Sequence, residues 1–188
     1  MNEMLKKIEE RYSCRDFSNH AISDADLRAI ANAAVTSPSA MNTQPWRVTV
    51  VNDKSLIDDM ENVAMSALER ADRTAYMRIK ARGGKLFYNA PNMIMLPVES
   101  ARMPGALLDL GIVCQTVTLA AESLGLSTLI CGLARFAFTE EHTETFASRL
   151  AFPSEFEFGI AILIGYPSEQ FALSAKPHEP DYGKISYV

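Results

Sequence analysis

Cysteine is scarce in this chain: Cys14, Cys114 and Cys131 are the only three among 188 residues. The number is odd and no two are spaced CxxC. That argues against a disulfide framework or a structural zinc or cluster site and fits free thiols in a reducing compartment. Histidine is as sparse, and His20, His142 and His178 fall outside metal-ligand spacing, so we expect no metal. No run of 18 uninterrupted apolar residues occurs, and no membrane span is expected. The first residues, MNEMLKKIEERYS, carry charge throughout and lack the apolar centre of a signal peptide. The expected location is cytoplasmic. Positive charge is not in excess. A net charge of -5 argues against nucleic acid as the main partner, because a phosphate backbone needs a basic surface. GxGxxG and Walker sequences are missing too, as are internal repeats, low-complexity tracts and an interdomain linker.

What is present is ordinary in amount: 48% hydrophobic and 22% charged residues, the composition of a globular protein. The length suits one domain over residues 1–188. Residues 1–11 read as a short amphipathic helix. Ser23, with Asp26 three residues on, caps a second helix, which should stop before Ser37-Pro38. A strand over 47–51 is followed by one long or two shorter helices from Ser55 to about Lys80, broken at Arg82-Gly83-Gly84-Lys85. Met93–Val98 reads as a buried strand. Residues 105–124 carry two apolar stripes, one through Leu108, Ile112, Gln115 and Leu119. They predict a central helix buried on most sides, with Gly125 as its C′ residue. Strands over 127–132 and 158–164 flank a helix capped by Thr139 and running to Leu150. The tail from Pro167 carries no clear element, and a partner subunit is one candidate to receive it. Helices and strands mix without regular βαβ alternation, which indicates an α+β fold with helices on a sheet of four or five strands.

Two stretches carry chemistry. In Arg11-Tyr12-Ser13-Cys14-Arg15, extended backbone would put Arg11, Ser13 and Arg15 on one side. Two forked, permanently charged donors and a hydroxyl suit a phosphate. The competing reading is a solvated loop after a helix. The loop Ser37-Pro38-Ser39-Ala40-Met41-Asn42-Thr43-Gln44-Pro45-Trp46 holds the one tryptophan, expected in the core. Its amides, Asn42 and Gln44, can read the edge of a planar ring.

RYSCRDF followed by SPSAMNTQPWRV resembles the nitroreductase family of FMN-dependent oxidoreductases. Asp109-Leu110-Gly111 leading to Gly125-Leu126, and Leu163-Ile164-Gly165-Tyr166-Pro167, resemble the family's central helix and last core strand. The resemblance runs from about residue 5 to Lys176. It implies a central, mostly antiparallel sheet flanked by helices, a tail packed on the partner, and a homodimer with FMN at its interface. Arg11, Tyr12, Ser13 and Arg15 would serve the phosphate and ribityl end, with Lys176 closing that site from the tail. Pro38, Ser39, Ala40 and Asn42 would approach from the second subunit. Ile130, Cys131 and Gly132 would lie near flavin N5, where an approaching backbone N–H gives Gly132 a reason to lack a side chain. One polar side chain of the 60–85 region, Arg82, Lys85 or a neighbour, would meet the pyrimidine edge. The implied activity is ping-pong transfer from NAD(P)H to a nitroaromatic, quinone or similar acceptor, with no side chain obliged to be catalytic. Met41, Phe136 and Phe138 are candidates to line the pocket or simply to pack. The alternatives are a specialised dehydrogenase or dehalogenase and a flavin-binding protein with little turnover.

Overall fold

Strand β2 (Asn92–Glu99) is apolar at nearly every position, and all but its last residue are buried. A strand buried on both faces needs layers on both sides, and the computed structural model, which describes residues 2–188, supplies them. Four antiparallel strands run in the order β1-β2-β4-β3, where β1 is Thr49–Val51, β3 is Ser127–Cys131 and β4 is Phe156–Gly165. Alternate residues divide between two cores. Ile94, Leu96, Val98 and Ile162 face helices α2 (Asp24–Val35) and α5 (Ala106–Ser123). Met93, Met95, Ala161 and Leu163 face α3 (Lys54–Ala71), α4 (Arg73–Ala81) and α6 (Thr143–Arg149). The α+β expectation holds, with four strands.

Local signals set most boundaries. Ser23 accepts the Asp26 N–H at 3.0 Å and donates to its carboxylate, opening α2. Asp72 accepts from Ala75 N–H and divides the long helical stretch into α3 and α4. Gly125 ends α5 with φ +75°. Pro97 cannot donate to the ladder, and the β2–β4 register shifts at Leu96/Pro97. Beside that bulge a Cβ on Gly159 would lie 2.5 Å from the Leu96 carbonyl oxygen and 2.8 Å from Leu110 Cδ1, so α5 reaches the sheet there only because position 159 lacks one.

Three expectations are corrected. Helix α5 is buried on one side only, through Leu110, Val113, Cys114, Val117 and Ala121. The stripe through Leu108 faces outward, and Leu108 is 75% exposed. By length and composition α5 could cross a membrane, yet it carries a buried Asp109 and packs against the sheet. Helix α6 starts four residues after Thr139, whose carbonyl oxygen accepts the Thr143 N–H. The tail is not featureless. Ser168 caps a short helix, α7 (Glu169–Ser174), accepting from Phe171 N–H at 3.2 Å. Helix α1 (Glu3–Glu10) forms as read but buries none of its residues, leaving Met4, Leu5 and Ile8 exposed.

Candidate functional site

The segment after α1 lies along the edge of the sheet. Ser13 forms a parallel bridge with Thr128 of β3, and Cys14 N–H donates to the Thr128 carbonyl at 2.9 Å. Cys14 and Phe17 turn into the core. Ser127 Oγ donates to Tyr12 Oη at 3.0 Å, a second tie to β3. Arg15 remains outside, its guanidinium donating to the Ser13 carbonyl at 3.4 Å.

Arg15 stands at the wall of a cleft of about 310 Å³. The C-terminal end of β3 lines the same cleft with Ile130, Cys131 and Gly132, while α4 contributes Ala75, Arg78 and Ile79. Leu86, Leu129 and Leu133 add apolar surface, and Arg82 and Tyr88 complete the lining. Three guanidinium groups thus border an apolar cleft that no carboxylate lines. A neighbouring cleft of about 370 Å³ shares Arg15, Arg82 and Tyr88 and is bounded by Asp16, Lys85 and the Gln170, Phe171 and Ser174 side of α7. Asp16 accepts a hydrogen bond from Ser168 Oγ at 2.6 Å, which fastens α7 beside Arg15.

Ile130, in the strand yet 42% exposed, turns toward the cleft. Cys131 is buried, and burial pushes its thiol up to about 11, so it is protonated and inert near neutrality. A Cβ on Gly132 would meet nothing nearer than Ile160 Cδ1 at 3.8 Å. Packing within the protomer therefore does not require glycine there.

The other expected residues lie elsewhere. Arg11 donates to the Tyr12 carbonyl at 3.2 Å and lines neither cleft. It is within electrostatic reach of Glu122 on α5, whose carboxyl is raised by burial and drawn back by Lys7 and Arg11. Lys176 is exposed just beyond α7. The loop with Pro38, Ser39, Ala40 and Asn42 lines neither cleft. It is fixed from within: Ser39 Oγ accepts Gln44 N–H at 2.9 Å, Asn42 Oδ1 accepts Gln44 Nε2 at 2.9 Å, and Asp109 accepts Ala40 N–H at 3.3 Å. Met41, Asn42 and Gln44 take positive φ values of 51°, 56° and 45°. Met41 is 92% exposed, and Trp46 is buried as expected. Phe138 packs in an aromatic cluster with Phe146, Phe152 and Phe158, and Phe136 lies under Arg135. Neither reaches the cleft.

Sequence reasoning named Arg82 and Lys85 without choosing between them. Arg82 lines both clefts, whereas Lys85 lines only the second and pairs with Glu61 at 3.8 Å. Arg78, Tyr88 and α7 were missed. Only α7 had a local signal, the cap at Ser168.

The nitroreductase family profile matches residues 8–166. A solved nitroreductase with bound FMN from Desulfitobacterium hafniense is 47% identical, covering all of this chain and 99% of its own, with a TM-score of 0.95. A Bacillus subtilis protein named FMN reductase is 27% identical over 96% of this chain and 71% of its own. A Thermotoga neapolitana protein named iodotyrosine deiodinase is 24% identical over 90% of this chain and 91% of its own. With a family match over most of its length and a fold to correspond, the chain belongs to the nitroreductase family.

Proposed function

We propose that this chain is an FMN-dependent oxidoreductase that takes electrons from NAD(P)H and passes them to a nitroaromatic, quinone or similar acceptor by a ping-pong mechanism, working as a homodimer. The observation that carries the reading is a single apolar cleft lined by both Arg15 and the Ile130–Gly132 end of β3.

The residues present fit FMN. Arg11, Ser13 and Arg15, with Tyr12 beside them and Lys176 from the tail, would hold the phosphate and ribityl end. Guanidinium and ammonium donors on an oxyanion make the stronger class of hydrogen bond. Ile130, Cys131 and Gly132 would lie against the ring, and the room at Gly132 allows backbone to approach it. Arg82 would address the pyrimidine edge. Pro38, Ser39, Ala40 and Asn42 would come from the partner, which is consistent with their lining neither cleft within one protomer. When bound, FMN supplies hydride acceptance from a reduced nicotinamide and onward electron transfer. The chain's own part is to bind, orient and exclude water. None of the cleft's lining residues is a carboxylate or histidine, and its one thiol is held protonated, so we assign no catalytic side chain.

The test is direct. The purified protein should be yellow, be bleached anaerobically by NADH or NADPH, recover colour with menadione or nitrofurazone, and give parallel double-reciprocal plots. A colourless preparation that takes up no FMN overturns the proposal. A second reading, a dedicated dehalogenase, draws support from the Thermotoga relative. Halide release from iodophenols faster than menadione turnover would favour it.

A further inference from the structure

The positive charge around the cleft exceeds what FMN uses under the reading above, on which this inference rests. The acidic protein, net -5, gathers Arg15, Arg78, Arg82 and Lys85 around the two joined clefts, against a single lining carboxylate, Asp16. Lys85 is engaged by Glu61 and Asp16 by Ser168. The FMN phosphate takes Arg11, Arg15 and Lys176, and the pyrimidine edge takes Arg82. Arg78 is left over. It projects from α4, one residue before the buried Ile79, and lines the apolar cleft. It has no salt-bridge partner among the described residues.

We propose that Arg78 binds an anionic group on the flat reactant that shares the cleft with the flavin, so the site prefers aromatic molecules carrying a carboxylate or phosphate over neutral ones. A concave apolar wall strengthens such a pairing by lowering the local dielectric, and the charge of Arg78, not taken up by FMN, attracts anions into the mouth. The anion has two sources, a carboxylate on the acceptor or a phosphate of the nicotinamide donor. A ping-pong enzyme admits both to the same place in turn.

Equilibrium binding to the flavin-loaded protein separates these sources. The probes are 4-nitrobenzoate against nitrobenzene, and NAD+ against 1-methylnicotinamide. Their dissociation constants are measured by dialysis for the wild type and for Arg78→Gln. The variant is expected to weaken one anionic probe roughly five- to tenfold while leaving its uncharged or non-phosphorylated counterpart within about twofold. Loss confined to 4-nitrobenzoate assigns the acceptor, and loss confined to NAD+ assigns the donor. The wild-type preference should shrink as salt is raised. A yellow wild type that binds the anionic probes no better than their counterparts without carboxylate or phosphate, or a variant that weakens both members of a pair equally, overturns the role of Arg78 and leaves the FMN assignment standing. A wild type that binds no FMN overturns both.

Discussion

Arg15 has a defined place, exposed at the cleft wall and tied to the core through the buried Cys14 beside it. A charge-assisted bond to phosphate contributes on the order of 1.5–3 kcal/mol. Arg15→Ala should therefore raise the FMN dissociation constant roughly ten- to hundredfold with an unchanged thermal midpoint, and adding Arg11→Ala should weaken retention further. Flavin fluorescence titration measures both, and a double variant that purifies with full flavin content would remove Arg11 and Arg15 from the phosphate site. The thiols make a second prediction. Burial pushes Cys14 and Cys131 up to about 11 and Cys114 to about 12, from an ordinary 9.0. The folded chain then holds more protons than the unfolded one above pH 9. The stability conferred by burying neutral thiols is complete below that pH and is lost as pH rises toward 11 and beyond. Thermal midpoints measured from pH 8 to 11 should fall, and more gently in Cys114→Ala. Equal slopes would count against a buried thiol at 114.

At the scale of elements, α3 holds a wall of the site through one buried carboxylate. Glu61 is 4% exposed, and it accepts the buried Phe87 N–H at 2.8 Å. The next residues, Tyr88 and Asn89, have φ values of 52° and 62°, and the Tyr88 carbonyl accepts Phe17 N–H at 3.0 Å. Such left-handed backbone persists only where its surroundings fix it. Glu61→Ala strands the Phe87 N–H and should cost about 1–3 kcal/mol in urea unfolding. Glu61→Gln keeps an acceptor and should cost less; equal losses would mean that the hydrogen bond matters little. Much at this scale was legible in the sequence, because caps such as Ser23 with Asp26 act within three residues. Helix α7 escaped because six residues are too few to display a helical period. The outward stripe of α5 was misassigned because periodicity finds two apolar faces and cannot say which one a neighbour covers. Arg78 was illegible for a different reason: its cleft is completed by β3, far along the chain.

For the whole molecule, the proposed assembly explains several surfaces together. Helix α1 buries nothing, Leu107 and Leu108 of α5 face outward, and Val35 is exposed at the end of α2. Exposed apolar side chains that adjoin one another are a feature of interaction sites. Sedimentation should find a dimer, and Leu108→Lys should weaken it and release flavin in parallel. A flavin-loaded monomer would contradict the shared site. The motifs themselves, RYSCRDF and SPSAMNTQPW, were plain in the sequence. Their physical separation within one protomer was not, since that depends on how far the loop stands from the β3 end.

The bond between Ser127 and Tyr12 joins positions 115 apart, and that distance has a consequence in time. Contacts between such remote positions form slowly, because the chain between them must first be ordered. On a ribosome, the segment bearing Arg15 emerges long before the strand it needs. The cleft cannot exist on a nascent chain until β3 has been synthesised and released, so no cofactor can guide the early steps. Flavin uptake is thus an event of the finished fold, and a pulse-labelled chain truncated before β3 should not retain FMN.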